Sequence, residues 1–93
     1  MIGTDKGRVW ITFNNGYTIS IINGYGSYSE NRYKSELIAT PEFASIDSKD
    51  CEVAIVYKGE FVTNDFLNCG DSVKGYVRPD ELAEIILMVK NKD

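Results

Sequence analysis

The sequence predicts an α+β domain with an antiparallel β-sheet of four to five strands and one C-terminal α-helix packed on it. Three observations predict this fold: two stretches of alternating apolar residues around glycine-containing turns, and a final stretch with apolar residues at helical spacing. The chain has 93 residues, which suits a single domain, residues 1–93, with a modest core. Its composition of 43% hydrophobic and 26% charged residues is typical of a folded protein.

The first hairpin is predicted over residues 8–22. In RVWITFNNGYTISII, apolar residues alternate on both sides of an Asn-Asn-Gly turn at residues 14–16. A three-residue turn with a left-handed glycine sets Phe13 opposite Tyr17 and keeps the apolar residues on one face, whereas a two-residue turn mixes the faces. The other face carries Trp10 and Ile22, and we expect the helix or a second chain to cover it.

The second hairpin is predicted over residues 51–63. CEVAIVYKGEFVT alternates up to a turn at Lys58 and Gly59, and its first strand is apolar on both faces, which favours a position inside the sheet. SVKGYV then predicts a short strand over residues 72–77.

The C-terminal stretch predicts a helix over residues 79–91. Pro79 fits the first helical position, acidic residues follow it, and lysines lie near the other end. The apolar stripe that faces the sheet consists of Leu82, Ile85, Ile86 and Val89. Leu87 and Met88 widen this stripe, which indicates either a deeply packed helix or the subunit interface of a homodimer.

Charge and residue content exclude several function classes. A net charge of −4 disfavours binding to duplex nucleic acid, because no basic excess is present to displace counterions. The chain has no histidine and only two cysteines, Cys51 and Cys69, which removes the usual zinc spacings and the imidazole base of most catalytic triads. We therefore expect no metal and no cofactor. No apolar run is long enough to cross a membrane, and a reducing cytoplasm fits the cysteine usage.

The connection of residues 23–50 lacks a sustained period and predicts a functional loop. SELIA within it predicts a short strand or a helical turn. The stretch GYGSYSENRYK holds tyrosine, serine, glycine, asparagine and arginine, the residue types of adaptable binding surfaces. The candidate ligand- or partner-binding residues here are Tyr25, Tyr28, Asn31, Arg32 and Tyr33. Amides near Gly24 and Gly26, with Arg32 or Lys34, form a candidate anion site. The alternative is a turn whose tyrosines lie back on the sheet.

A second candidate surface lies in NDFLNCGDSVKGYVRPDE. Phe66 and Leu67 have no periodic position, so they either close the end of the sheet or anchor a partner. Asp71 belongs to the same loop and is the seventh candidate binding residue. Cys69 beside Asp71 is a poor nucleophile, because a neighbouring acid raises the pKa of a thiol. The sequence therefore predicts no catalytic residue and no enzyme.

The order FNNGYTISI…GYGSYSENR, CEVAIVYKGEF and GDSVKGYVRPDELAEIILMV resembles small uncharacterised proteins of tailed phages, in which a sheet-forming sequence ends in a Gly-Tyr-Val strand and a short helix. The resemblance covers most of the chain and includes no catalytic motif. It implies a non-enzymatic, anti-CRISPR-like counter-defence protein that binds and inhibits a bacterial defence protein in the cytoplasm of the infected host.

Two alternatives stay open. The protein is a sponge that sequesters a defence-signalling nucleotide in the tyrosine-rich loop, or it is a virion or assembly component. Acidic residues between Asp47 and Asp71 suit a basic cleft in a nucleic-acid-binding target. The net charge is mild, however, and the acids are mixed with lysines, which argues against full DNA mimicry.

Overall fold

A six-stranded antiparallel sheet dominates the computed structural model, which describes residues 1–41 and 45–93. The strands are β1 (Ile2–Asp5), β2 (Arg8–Thr12), β3 (Tyr17–Ile22), β4 (Cys51–Tyr57), β5 (Glu60–Phe61) and β6 (Lys74–Val77). The helices are α1 (Thr63–Leu67) and α2 (Pro79–Lys90), and a 3-10 helix covers Ser35–Ala39. The order is β1-β2-β3-β4, and β5 and β6 both pair with the other side of β4. The predicted α+β class is confirmed, with one strand more than the upper predicted count.

The first hairpin has the predicted three-residue turn. The amide of Phe13 donates to the carbonyl of Tyr17 across 2.9 Å, and Gly16 is left-handed with a φ of +89°. Ile11 lies opposite Ile19 in the ladder. Because the register is set this way, the apolar residues of β2 and β3 share the face that packs into the core with α2.

Strand β1 is an addition to the predicted sheet. Its sequence, IGTD, has no apolar alternation and contains a glycine, so it carries no strand signal. The nitrogen of Met1 donates to Thr12 O across 3.0 Å, and the amide of Thr12 returns a 2.8 Å bond. The indole of Trp10 lies over Gly3, where an added Cβ would come within 2.1 Å of the ring. The Trp10 side chain rests on β1 rather than in the core beneath the helix, and its cover by a second chain stays a prediction.

The second hairpin is shorter than predicted. Lys58 and Gly59 both have positive φ, +51° and +79°, as a type I′ turn requires. Strand β4 lies inside the sheet as predicted, but β5 ends before the predicted limit of the 51–63 hairpin. Thr63 begins α1 instead, and its Oγ1 accepts a 2.8 Å hydrogen bond from the amide of Ile55. The Thr63 side chain thus accepts the hydrogen bond that a backbone carbonyl would accept in a longer strand.

Strand β6 begins at Lys74, within the predicted 72–77 range, and contains a bulge. Lys74 and Val77 are three residues apart but pair with β4 residues that are two apart. Tyr76 within this bulge has a φ of +55°. A bulge inserts one residue and re-aims the side chains around it.

Helix α2 confirms the prediction of 79–91 to within one residue. Pro79 occupies the first turn, and Ile85 and Val89 are buried beneath the helix. The side-chain amide of Asn15, in the first hairpin turn, donates to Val89 O across 2.8 Å and to Lys92 O across 2.9 Å. The hairpin turn therefore adds a donor to carbonyls at and just beyond the end of the helix, where helical N–H donors run out.

The outer face of α2 keeps two large apolar side chains in solvent. Leu87 is 55% exposed and Met88 is 45% exposed. Deep packing within one chain does not account for them, and a role of this face as a subunit interface stays a prediction.

The core lies between the sheet and α2, and the tyrosine-rich connection flanks it. The fully buried apolar residues are Ile19, Val53, Ile55, Val77 and Val89. The SELIA stretch forms the 3-10 helix, one of its two predicted forms. Residues 42–44 of the predicted 23–50 connection lie outside the described residues. Among the helices that the structure describes, none is long and apolar enough to cross a membrane.

Candidate functional site

The tyrosine-rich loop, residues 24–34, folds into a series of tight turns. The amide of Gly26 donates to Arg32 O across 3.0 Å, which closes the loop on itself. The amide of Arg32 donates to Ser29 O across 3.1 Å, and that of Ser27 to Gly24 O across 3.2 Å. The loop therefore has a defined backbone, although it belongs to neither helix nor sheet.

Small polar side chains fill the inside of this loop. Ser27, Ser29 and Asn31 are only 4%, 2% and 1% exposed. The Ser27 hydroxyl donates to Gly24 O across 2.7 Å and lies 2.8 Å from the Ser29 hydroxyl. Asn31 Nδ2 donates to the carbonyl of Asn23 across 2.8 Å and to that of Asp47 across 3.0 Å. Because buried backbone carbonyls need partners, Asn31 links three parts of the connection.

Carboxylates at the start of β4 tie the loop to the sheet. Asp50 Oδ1 accepts the amide of Glu30 across 2.7 Å, and Glu52 Oε1 accepts that of Tyr28 across 3.0 Å. Tyr28 O in turn accepts the amide of Tyr76 in the β6 bulge across 2.8 Å. These two acidic groups therefore support the loop, and Asp50, at 8% exposure, is not displayed for a basic target.

The outside of the loop presents what we call the tyrosine–arginine surface, formed by Tyr25, Tyr28, Arg32 and Tyr33. The three tyrosines are 49%, 40% and 85% exposed. The guanidinium carbon of Arg32 lies 4.1 Å from the ring centroid of Tyr28 and 5.5 Å from that of Tyr33. Arg32 Nε also donates to the Tyr33 hydroxyl across 3.3 Å. This hydrogen bond raises the pKa of the Arg32 guanidinium, which therefore keeps its positive charge between the two rings.

The predicted anion site at the loop glycines does not form as expected. The amide of Gly26 is occupied by Arg32 O. Gly24 is buried and packs against Gly7. A Cβ atom added to Gly7 would lie 2.9 Å from the Cα of Gly24. The glycines thus serve turn geometry and close packing. The positive groups left on this face are the side chains of Arg32 and Lys34, the latter exposed.

The structure separates the seven predicted binding residues into distinct groups. Four make up the tyrosine–arginine surface, whereas Asn31 is corrected from a contact residue to an internal support. Phe66 is half-buried in α1 and lies edge-on to Tyr17, with ring centroids 5.4 Å apart, so it closes the end of the sheet. Asp71 is exposed, and its Oδ1 accepts the amide of Ser72 within its own loop across 2.7 Å.

Tyr76 is a surface residue that the sequence analysis missed. It is 54% exposed, and its backbone is bonded to Tyr28, so it adjoins the tyrosine–arginine surface. An added Cβ on the preceding residue, Gly75, would lie 2.5 Å from Tyr28 Cβ. The available signal was the glycine inside a predicted strand, which often marks a bulge or a close backbone approach.

A concave region lies at the N-terminal end of α2. It is a cleft of about 380 Å³ between the first residues of α2, the β1–β2 turn and the segment before β4. Cys51 lines it, and burial, with Asp50 and Glu81 adding to it, raises the pKa of this thiol to about 11. Cys51 Sγ lies 3.5 Å from Val77 O, to which it donates. The thiol therefore stays protonated at neutral pH and is a poor nucleophile.

Within residues 1–41 and 45–93, no group of three or more acidic or cysteine side chains is arranged to hold a metal ion. No family model, curated protein or solved structure matches this chain. The function of the chain is therefore inferred from the geometry of its surfaces.

Proposed function

We propose that this chain is a non-enzymatic binding protein that contacts a partner protein through the tyrosine–arginine surface. One observation carries the proposal: Arg32 is held between Tyr28 and Tyr33 on a loop whose inside is fixed by hydrogen bonds. Tyrosine and arginine dominate the binding energy of many protein interfaces.

The fixed loop favours binding because little conformational freedom is lost on association. Immobilising one flexible side chain at an interface costs about 0.5–1.5 kcal/mol. Arg32 is already stacked before any partner arrives, and tyrosine side chains have few rotatable bonds. The surface therefore offers large apolar area and a positive charge at low entropic cost.

The chemistry of the surface indicates what it meets on the partner. A guanidinium between two phenol rings suits a carboxylate or a cluster of backbone carbonyls, and the phenol hydroxyls add donors and acceptors at the edge. We expect a partner patch that combines apolar area with an acidic or carbonyl group opposite Arg32.

The resemblance of the sequence to small tailed-phage proteins supplies the biological setting of the proposal. In that setting the protein inhibits a bacterial defence protein in the cytoplasm of the infected host, by occupying a surface that the defence protein needs. The nucleotide-sponge alternative has less support, because the Gly26 amide expected to hold phosphate donates to Arg32 O.

A phage-plating experiment tests the proposal. Bacteria that each carry one defence system express the protein, and the plating efficiency of a sensitive phage is measured. We expect the wild-type chain to restore plating against at least one system, and Tyr28→Ala and Arg32→Ala to lose this effect. Phe61→Ala is the matched control, since Phe61 is 61% exposed but lies on β5, away from the loop.

Two outcomes would contradict the proposal. Plating that is unchanged against every system tested argues against counter-defence, and equal activity of Tyr28→Ala, Arg32→Ala and Phe61→Ala argues against this surface. A thermal-shift titration with cyclic dinucleotides and mononucleotides tests the nucleotide-sponge alternative, because only a ligand of the folded state raises the melting temperature.

A further inference from the structure

The two edges of the sheet differ in their protection against pairing with another chain. On the β4 side, β5 has only two residues and β6 carries the bulge at Tyr76, whose amide is bonded to Tyr28 O. Short strands and bulges are the usual protection of a sheet edge against pairing with another chain. The opposite edge, β1, has no bulge and pairs regularly with β2 over all four of its residues.

The free side of β1 presents backbone groups in a regular pattern. Met1 and Thr12 exchange two hydrogen bonds, so they form a hydrogen-bonded pair of the antiparallel ladder. Because such pairs alternate along a ladder, Gly3 also bonds to β2, whereas Ile2 and Thr4 point their N–H and C=O groups outward. Two donors and two acceptors therefore face away from the sheet.

The side chains on this edge favour association as well. Met1 and Ile2 are 82% and 69% exposed. Strand β1 contains no lysine and no proline, and its one charged residue, Asp5, lies at its end. The nearest lysine, Lys6, donates its ammonium to the carbonyl of Ile38 and so is directed to its own chain.

We propose that two copies of this chain associate through β1 and form one continuous antiparallel sheet. A two-fold axis at Gly3 pairs Ile2 of each copy with Thr4 of the other, and this register satisfies all outward-facing donors and acceptors with four hydrogen bonds. It also gives full overlap of residues 1–5. The proposal is independent of the partner surface proposed above.

Gly3 and Trp10 explain why a second copy fits this edge. Gly3 at the axis has no side chain, and opposed Cα atoms in a non-hydrogen-bonded pair approach to about 4.5 Å. The Trp10 ring already covers Gly3 on one face of the sheet. The two-fold axis places the partner's Trp10 on the same face, so the two indoles lie side by side within the range of aromatic pairing. A strand from an unrelated protein would lack this matched tryptophan.

The size of the contact sets its strength. A five-residue strand pairing buries less than the roughly 1,200 Å² of a stable, specific interface. We therefore expect a reversible monomer–dimer equilibrium with a dissociation constant of about 100 μM.

Analytical ultracentrifugation across about 5 to about 500 μM tests the association, with Trp10 fluorescence as a second readout. Trp10 is the only tryptophan of the chain, so its emission reports on the surroundings of Gly3. Thr4→Pro removes an outward N–H that β2 does not use, and proline is tolerated on edge strands. Thr4→Val retains that N–H and is the matched control. Ile2→Lys, at an exposed side chain, is a second disrupting variant that the monomer tolerates.

We expect the wild type and Thr4→Val to become mostly dimeric at the highest concentration, with a shift in Trp10 emission. Thr4→Pro and Ile2→Lys should remain monomeric while circular dichroism shows an unchanged fold. A wild type that stays monomeric at about 500 μM overturns the proposal. A dimer that Ile2→Lys leaves intact also overturns it, and would move the interface elsewhere, for example to the exposed face of α2.

Discussion

The tyrosine-rich loop and the core beneath α2 are both well defined, but different forces define them. The core holds apolar side chains such as Ile55 and Val89 at 0% exposure. The inside of the loop is equally buried, yet it consists of serine and asparagine side chains that bond to backbone carbonyls. Apolar packing distributes stability over many contacts, whereas each loop bond fixes one particular turn. Damage to the core should therefore be global, and damage to the loop local.

The largest effect is expected from the core. Ile55→Ala removes a fully buried side chain next to the Thr63 hydrogen bond and should lower the free energy of unfolding by about 2–5 kcal/mol. Urea denaturation measures it. Leu87→Ala, at a 55% exposed position of α2, is the control and should change it by less than about 0.5 kcal/mol. Equal losses for the two variants would contradict the placement of the core.

The loop should respond locally to loss of its internal support. Asn31→Ala leaves the carbonyls of Asn23 and Asp47 without their partner and should cost about 1–3 kcal/mol. Hydrogen exchange should accelerate at the amides of residues 24–34 and stay unchanged in α2. Asn14→Ala, the same change at an exposed turn position, is the control. Acceleration spread evenly over the whole sheet would show that loop and core are one unit.

A smaller effect should appear only at high pH. The folded state raises the pKa of Cys51 from 9.0 to about 11, mainly by burial. Below pH 9 the thiol is protonated in both the folded and the unfolded chain, so stability is unaffected. Between pH 9 and about 11 the unfolded chain ionises more readily, and the free energy of unfolding should fall.

Denaturation midpoints at a series of pH values give this effect. Cys51→Ala should reduce the fall between pH 9 and 11, whereas Cys69→Ala, at the other thiol, should leave it in place. The same loss of stability in wild type and Cys51→Ala would assign it to other groups.

The smallest effect on stability is expected at the tyrosine–arginine surface. The Tyr28 ring, 4.1 Å from the Arg32 guanidinium carbon, should shift the Arg32 side-chain protons upfield in the NMR spectrum. Tyr28→Leu should abolish this shift and leave the melting temperature nearly unchanged, because both side chains are at the surface. Phe61→Leu serves as the control. Arg32 shifts that do not depend on Tyr28 would show that the stack does not persist in solution.

The sheet itself could be predicted where side chains alternate. The register of Ile11 against Ile19 followed from one face being apolar and from the Asn-Asn-Gly turn. Side-chain alternation and turn residues predicted neither strand β1 nor the start of α1 at Thr63. The first is held by pairing to β2 and by Trp10 on Gly3, and the second by a side chain bonded to Ile55. Both depend on a specific contact with a neighbouring element, which side-chain alternation does not encode.

The candidate site could be predicted in part. The sequence predicted Tyr25, Tyr28, Arg32 and Tyr33 as candidate binding residues, because their types and spacing are unusual for a linker. It did not distinguish them from Asn31, which also has a hydrogen-bonding side chain in the same loop but points inward. Ser27, Ser29 and Asn31 recur at every second position, which is the sequence signal for this inward face.

By itself, the sequence determined the fold class, the two hairpins, the extent of α2 and the approximate place of the tyrosine surface. Local rules suffice for these features, because turn residues, alternation and helical spacing act within a few neighbouring positions. Only the tertiary structure decided which loop residues are buried, how Tyr76 joins Tyr28, and which sheet edge stays open. These features depend on hydrogen bonds and contacts between segments far apart in the chain, and no local pattern encodes which segments meet.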